Sequence, residues 1–248
     1  MRIVFFGSSH GAPEGSRRCS SILVDVNGLR YFIDMGTQAI EQLVNRGIDV
    51  ESVKAIFVTH MHGDHTDGLI SFVDLCSWYY KQANPCICLP GDIKRSTAVM
   101  KEWIACNGVA MRDFEFRHVD DGFVYCDENI KITAFRTEHT DQSFSYLLEA
   151  EGKRVYFSGD LSFLGEPTDE APDVPLDEFE KGFDLAILEL AHFSAVDKYY
   201  TLLKNKNNIK TICINHYSKF RIASGYELCN LLPEQKIIFA TDGLEIEL

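Results

Sequence analysis

Four side chains able to ligate a metal ion, those of His60, His62, Asp64 and His65, fall within the single run Thr59-His60-Met61-His62-Gly63-Asp64-His65. No other feature constrains the fold so tightly. A loop can present that many ligands together only if a rigid scaffold holds it and brings further ligands to meet it. Gly63 is expected to permit a tight backbone path through the cluster. Imidazole nitrogens bind borderline cations at about 2.0–2.1 Å, and a mixed His and Asp set suits zinc, iron or manganese better than calcium or copper.

The scaffold is legible as apolar runs. Strands are predicted over residues 2–6, 20–26 and 30–34, the last two joined by Asn27-Gly28, a strong hairpin signal. A helix over 37–45, with Thr37 as cap and Gly47 past its end, precedes a strand over 53–58. After the motif, Leu69, Phe72, Val73, Cys76 and Tyr80 recur at helical spacing, and a second helix follows Pro90-Gly91 over 93–106. Residues 114–157 read as an antiparallel meander and 166–177 as an exposed loop. Strands over 185–190, 209–214 and 236–239, with helices near 195–204 and 224–231, complete the pattern.

Several strand-like runs end in a loop that carries a potential ligand. Val58 precedes His60, Phe135 precedes His139, Phe157 precedes Asp160, Leu190 precedes His192 and Ile214 precedes His216. Such repetition suits ligands placed along one edge of a sheet. One catalytic zinc needs only three protein ligands plus water, so His60, His62, His65, His139 and His216 with Asp64 and Asp160 are too many for a single ion. Two divalent metal ions, most simply zinc with iron or manganese as alternatives, are the economical reading. A pair about 3.5–4 Å apart can share a bridging carboxylate and a bridging hydroxide. Asp160, after Ser158-Gly159, is the candidate bridge.

These residues resemble the metallo-β-lactamase superfamily, whose H-x-H-x-D-H motif is matched by His60 through His65. The remaining signature positions follow in order, with His139 in Glu138-His139-Thr140, Asp160 in Ser158-Gly159-Asp160, and His216 in Asn215-His216-Tyr217-Ser218. Gly7-Ser8-Ser9-His10-Gly11-Ala12-Pro13 and Phe32-Ile33-Asp34-Met35-Gly36 look like the ribonuclease Z branch and its cyclic phosphodiesterase relatives. The resemblance implies an α/β (α+β) fold, a four-layer αββα sandwich, formed as one hydrolase domain over residues 1–248. It also implies that His60, His62 and His139 hold the first metal, Asp64, His65 and His216 the second, and that Asp160 bridges them. Glu189 and His192 occupy the place where phosphodiesterase relatives keep a histidine steadied by a carboxylate. Ribonuclease Z proteins separate those two residues by a longer segment, and the long basic insertion that clamps transfer RNA has no counterpart here.

Charge and cysteine usage narrow the partners. With 24 basic against 37 acidic residues the formal net charge is −13, which repels a polyanion at long range. A small-molecule or nucleotide-like substrate is therefore expected, transfer RNA is disfavoured, and a homodimer is left open. No apolar run reaches membrane-spanning length and no export signal is read at the amino terminus, so no membrane and a cytoplasmic location are expected. The eight cysteines are scattered, and Cys86 and Cys88 are expected to pack on one face of a strand.

Other residues carry weaker expectations. Asp67 is expected to cap the helix after the motif, and Asp34 to steady a ligand histidine or serve a turn. Arg17, Arg18, Lys219 and Arg221 read as surface charges near the metal mouth, and His10 and His118 as surface or packing residues. The leading expectation is hydrolysis of a phosphodiester through a metal-bridging hydroxide, with Asp64, His192 and Glu189 in the catalytic apparatus. The alternatives are hydrolysis of a lactone or thioester, and a metal-stabilised binding or regulatory module without activity.

Overall fold

In the computed structural model of the chain, residues 1–161, 173–192 and 196–248 are described. Their strands form two seven-stranded sheets. In the first, β1 (Arg2–Gly7), β2 (Ser21–Val26) and β3 (Leu29–Met35) run antiparallel, followed by parallel β4 (Val53–Phe57), β5 (Cys86–Leu89) and β6 (Phe116–His118). In the second, β7 (Gly122–Cys126), β8 (Lys131–Thr137), β9 (Ser143–Ala150) and β10 (Lys153–Phe157) form the meander, continued by parallel β11 (Leu185–Glu189), β12 (Ile212–Asn215) and β13 (Ile237–Phe239). The final strand, β14 (Glu245–Glu247), returns to pair with β1.

Both faces of each sheet are covered, which explains why the strands read as near-continuous apolar runs. Ile3, Phe5, Ile22, Val24, Leu185 and Ile187 point into the core between the sheets. Their neighbours Val4, Phe6, Leu23 and Phe32 pack outward against α1 (Ala39–Asn45), α2 (Gly63–Trp78) and α3 (Ile93–Ala105). On the other side Tyr156, Leu188 and Ile214 pack with α4 (Leu176–Lys181), α5 (Val196–Leu203) and α6 (Ile222–Leu231). Helix, sheet, sheet and helix layers follow, the αββα sandwich anticipated above. Asn27 and Gly28 both take left-handed φ, 53° and 79°, as the hairpin turn between β2 and β3 demands.

Several details depart from expectation. The α1 cap is Gln38, without a side-chain hydrogen bond, and not Thr37. The meander begins at Gly122, because β6 lies parallel to β5 in the other sheet. Helix α2 starts inside the motif, with His62 at its cap, so Asp67 lies within the helix and does not cap it. Gly63 is the first helical residue, and it makes room for Asp67, whose Oδ1 would lie 2.9 Å from a Cβ there. Both β14 and the short α4 went unread, being brief and half polar. Of the expected loop over 166–177, residues 166–172 lie outside the described residues and Asp177 belongs to α4; residue 195 of the expected helix also lies outside them. Cys86 and Cys88 are buried with sulfurs 3.9 Å apart, packed as expected. Among the described residues no helix is long and apolar enough to cross a membrane.

Candidate metal centre

Strands β4, β10, β11 and β12 all end at one edge of the sandwich, and the loops leaving them carry His60 to His65, Asp160, His192 and His216. The turn after β8 adds His139. Two links between the sheets hold this edge together: Tyr146 donates its hydroxyl to the Val58 carbonyl at 2.6 Å, and the Phe144 amide donates to the Thr59 carbonyl at 2.9 Å. His216 takes a φ of 46° and Asp34 one of 59°. Such left-handed conformations are uncommon outside glycine and gather at functional sites.

The side chains meet in two adjoining groups. His62 Nδ1 lies 2.9 Å from His60 Nε2 and 3.2 Å from His139 Nε2. Asp64 Oδ2 lies 3.1 Å from His216 Nε2 and 3.2 Å from His65 Nε2. Asp160 adjoins both groups, its Oδ2 lying 3.6 Å from His60 and His139 and 3.4 Å from His65. All seven residues singled out from the sequence are thus brought together. The arrangement suits cations: around an ion bound at about 2.0–2.2 Å, tetrahedral ligand atoms stand roughly 3.3–3.6 Å apart. Three imidazole nitrogens converging on one point cannot all be satisfied by protons on one another, whereas their lone pairs can share an ion. His60, His62 and His139 could hold one, and Asp64, His65, Asp160 and His216 another.

Electrostatics support ligand states. Burial, reinforced by His65, pushes the His60 imidazole down to about 2, so it is neutral with its lone pair free. Burial likewise lowers His139. For Asp160, burial favours the neutral acid but His216, His65 and His60 outweigh it, holding the carboxyl well below its usual range. Asp64 is held down in the same way by hydrogen bonds with His216 and His65.

A second ring of residues orients these ligands. Asp34, buried, accepts from the Thr59 amide at 2.7 Å and the Thr59 hydroxyl at 3.0 Å, and its Oδ2 lies 2.7 Å from His65 Nδ1. Of its two expected roles, the structure favours steadying a histidine. Thr59 also reaches His60 Nδ1 at 3.1 Å, a contact that sequence reasoning missed although the residue abuts the motif. Gly36 was missed too: a Cβ there would lie 1.7 Å from the Asp64 carbonyl oxygen, a close approach with no sequence signal beyond the glycine itself.

Glu189 is buried, and its Oε1 lies 3.2 Å from His192 Nδ1 while accepting from the Leu161 amide at 3.1 Å. His192 Nε2 lies 3.6 Å from Asp160 Oδ2, against the centre and open to solvent. Burial lowers the His192 imidazole, but Glu189 and Asp160 outweigh it and raise it. Arg17 is no free surface charge. Its guanidinium sits 4.0 Å over the Tyr217 ring and donates to the Tyr217 carbonyl and to Glu14. Arg18 pairs with Asp242 and His10 with Glu14, while Lys219 is exposed.

Comparison with known proteins agrees with this geometry. A family model described as Anti-Pycsar protein Apyc1 matches residues 1–173, more than half of the chain. The chain belongs to the Apyc1 family. This Apyc1-family chain is also 32% identical over 155 residues to a ribonuclease Z of Saccharolobus islandicus, covering 62% of this chain and 50% of that protein. A ribonuclease Z of Saccharolobus solfataricus is 30% identical over 148 residues, 60% of this chain and 48% of that one. The chain therefore spans about half the length of the curated relatives it matches. Among solved structures, the metallo-β-lactamase fold protein YhfI from Bacillus subtilis superimposes with a TM-score of 0.75 at 15% identity, covering 100% of this chain and 99% of that one. The short form of human tRNase Z gives 0.71 at 18% identity, with the same coverages of 100% and 99%. The Apyc1-family chain has the metallo-β-lactamase fold, and its sequence is ribonuclease Z-like.

Proposed function

We propose that the chain is a single-domain, metal-dependent hydrolase that cleaves small, nucleotide-like phosphodiesters with the help of two zinc ions. The observation that carries this reading is the Asp160 carboxylate, whose Oδ2 lies 3.4–3.6 Å from nitrogens of both ligand groups and of His192. His60, His62 and His139 would hold one ion, Asp64, His65 and His216 the other, with Asp160 shared. When bound, such a pair supplies Lewis acidity, making water nucleophilic and neutralising charge that develops on the substrate.

The chain's own residues supply the rest. Asp64 and Asp160, held ionised, contribute negative charge that suits two dications, and the neutral imidazole of His60 adds none. His192, oriented through Nδ1 by Glu189, is placed to hold a proton at Nε2 for a departing oxygen. That imidazole is what favours phosphodiesters over lactones. The net charge of −13 favours a compact anion over a long polyanion. The names of the relatives, ribonuclease Z and a diphosphatase of the PhnP family, fit chemistry at phosphorus.

The test is metal content by mass spectrometry on protein purified without chelator. Turnover of bis(p-nitrophenyl) phosphate, cyclic nucleotides and a lactone is then measured on that sample and on His62→Ala. Two zinc ions per chain with metal-dependent phosphodiester cleavage, lost in the variant, is the expected result. Cleavage of the lactone alone would overturn the substrate class, and failure to take up metal after reconstitution would overturn the whole reading.

A further inference from the structure

Beneath the ligands lies a small cavity of about 20 Å³, bounded by the polar side chains that end the inter-sheet rows of several strands. Ser20, Asp34, Thr59, Ser158, Glu189 and Asn215 form this polar floor. Most of its polar atoms are already matched, since Asp34 serves His65 and Thr59 while Glu189 serves Leu161 and His192. Three atoms are not. Asn215 Oδ1, Asp160 Oδ1 and His216 Nδ1 have no hydrogen-bond partner among the described residues, although their residues are only 4%, 2% and 3% exposed. His216 Nδ1 and Asp160 Oδ1 stand 3.4 Å apart yet form no hydrogen bond.

We propose that this cavity is a binding site for one structural water, and that Asn215 acts through that water as a positioning residue for His216. Size and chemistry both point there. A cavity needs about 10–15 Å³ of such volume to admit one water, which then makes about three hydrogen bonds. The three orphaned atoms match one water atom for atom. It donates to Asn215 Oδ1 and to Asp160 Oδ1, and accepts from the Nδ1–H of His216. A cation fits less well, because that N–H would oppose it. The match also selects a tautomer, since a proton on Nδ1 leaves the lone pair on Nε2, the atom facing Asp64 and His65. At the end of β12, after inward-facing Cys213, an apolar residue would be the ordinary choice, and Asn215 breaks that pattern.

The inference rests on reading the ligand groups as metal sites, but its test does not depend on turnover. A high-resolution crystal structure of the unmodified chain is expected to show one ordered water within hydrogen-bond distance of Asn215, Asp160 and His216. Asn215→Leu, similar in size and apolar, is expected to lose that water and about tenfold in affinity for one of two zinc equivalents. Asn215→Ser, which keeps a hydroxyl and leaves room, should retain most of the affinity. No density in the cavity, density with the scattering of a metal ion, or parental zinc affinity in Asn215→Leu would overturn the proposal. If the leucine variant fails to fold, the density in the unmodified chain still decides. If the unmodified chain takes no zinc, the reading of the site fails while the density still tests the water.

Discussion

Asp34→Asn isolates the contribution of one carboxylate to one ligand. In the native chain Asp34 Oδ1 accepts from the buried Thr59 amide at 2.7 Å, while Oδ2 faces His65 Nδ1 at 2.7 Å and takes the Thr59 hydroxyl at 3.0 Å. Asparagine tolerates the φ of 59°, so the backbone is not the variable. To keep the Thr59 amide satisfied, its side-chain oxygen must replace Oδ1, which turns the NH2 group toward His65. His65 must then present a lone pair at Nδ1 and carry its proton on Nε2, the atom pointing at Asp64, Asp160 and His216. A protonated nitrogen cannot ligate. Loss of such an outer partner costs about 10–100-fold in metal affinity, roughly 1.4–2.7 kcal/mol. The assay is competition for zinc against a chromophoric chelator, with circular dichroism to check folding. The equivalent held by the Asp64, His65 and His216 group should weaken by that factor, and the other should stay within about twofold, as distant sites do. Two equivalents bound with native affinity would refute the tautomer argument.

Removal of the His192 imidazole in His192→Ala should slow phosphodiesters with alkoxide leaving groups by about 100-fold or more while zinc content holds. Nitrophenolate, which departs without a proton, should be slowed far less, and an equal loss for both would exclude the acid role. Asp127 joins the sheets, accepting from the Tyr31 hydroxyl at 2.7 Å and the Tyr125 hydroxyl at 3.0 Å. Asp127→Ala leaves the buried Tyr31 hydroxyl unpaired and should cost about 2–3 kcal/mol in urea unfolding at an unchanged slope. Burial raises the Asp127 carboxyl, but hydrogen bonds from Tyr31, Asn129, Ile130 and Tyr125 outweigh it and lower it. Its contribution is therefore present above about pH 3.9, the unfolded value, and is lost as pH falls through the lower folded value. Asp127→Asn should flatten that acid limb of the stability curve, and an unchanged limb would count against it. Gly36→Ala places a Cβ 1.7 Å from the Asp64 carbonyl oxygen, so it should lower stability by about 1–3 kcal/mol and reduce zinc stoichiometry. A thermal melt and metal analysis matching the parent would refute the close-approach argument.

The ligand set was open to reading in the sequence because metal chemistry is carried by a few residue types at tight spacing. His60 to His65 occupy one loop, and His139, Asp160 and His216 each follow a strongly apolar strand. The layered fold was open for a related reason, since strands buried on both faces, such as those around Val4 and Ile214, read as unbroken apolar runs. Weak elements were not, because β14 and α4 owe their structure to neighbours: β14 is held by β1, and Phe179 of α4 by Tyr156 and Phe183.

What the sequence by itself determined was the identity of the ligands and the type of scaffold, both local properties of residue type and periodicity. Tertiary structure alone decided the outer ring. Asp34 meets His65, Gly36 meets the Asp64 backbone, Arg17 lies on Tyr217, and Asn215 sits with Asp160 over one cavity. Each of these depends on the closing of the two sheets and their loops around one edge. Contacts between residues distant in the chain follow from that closure, and no local pattern encodes it.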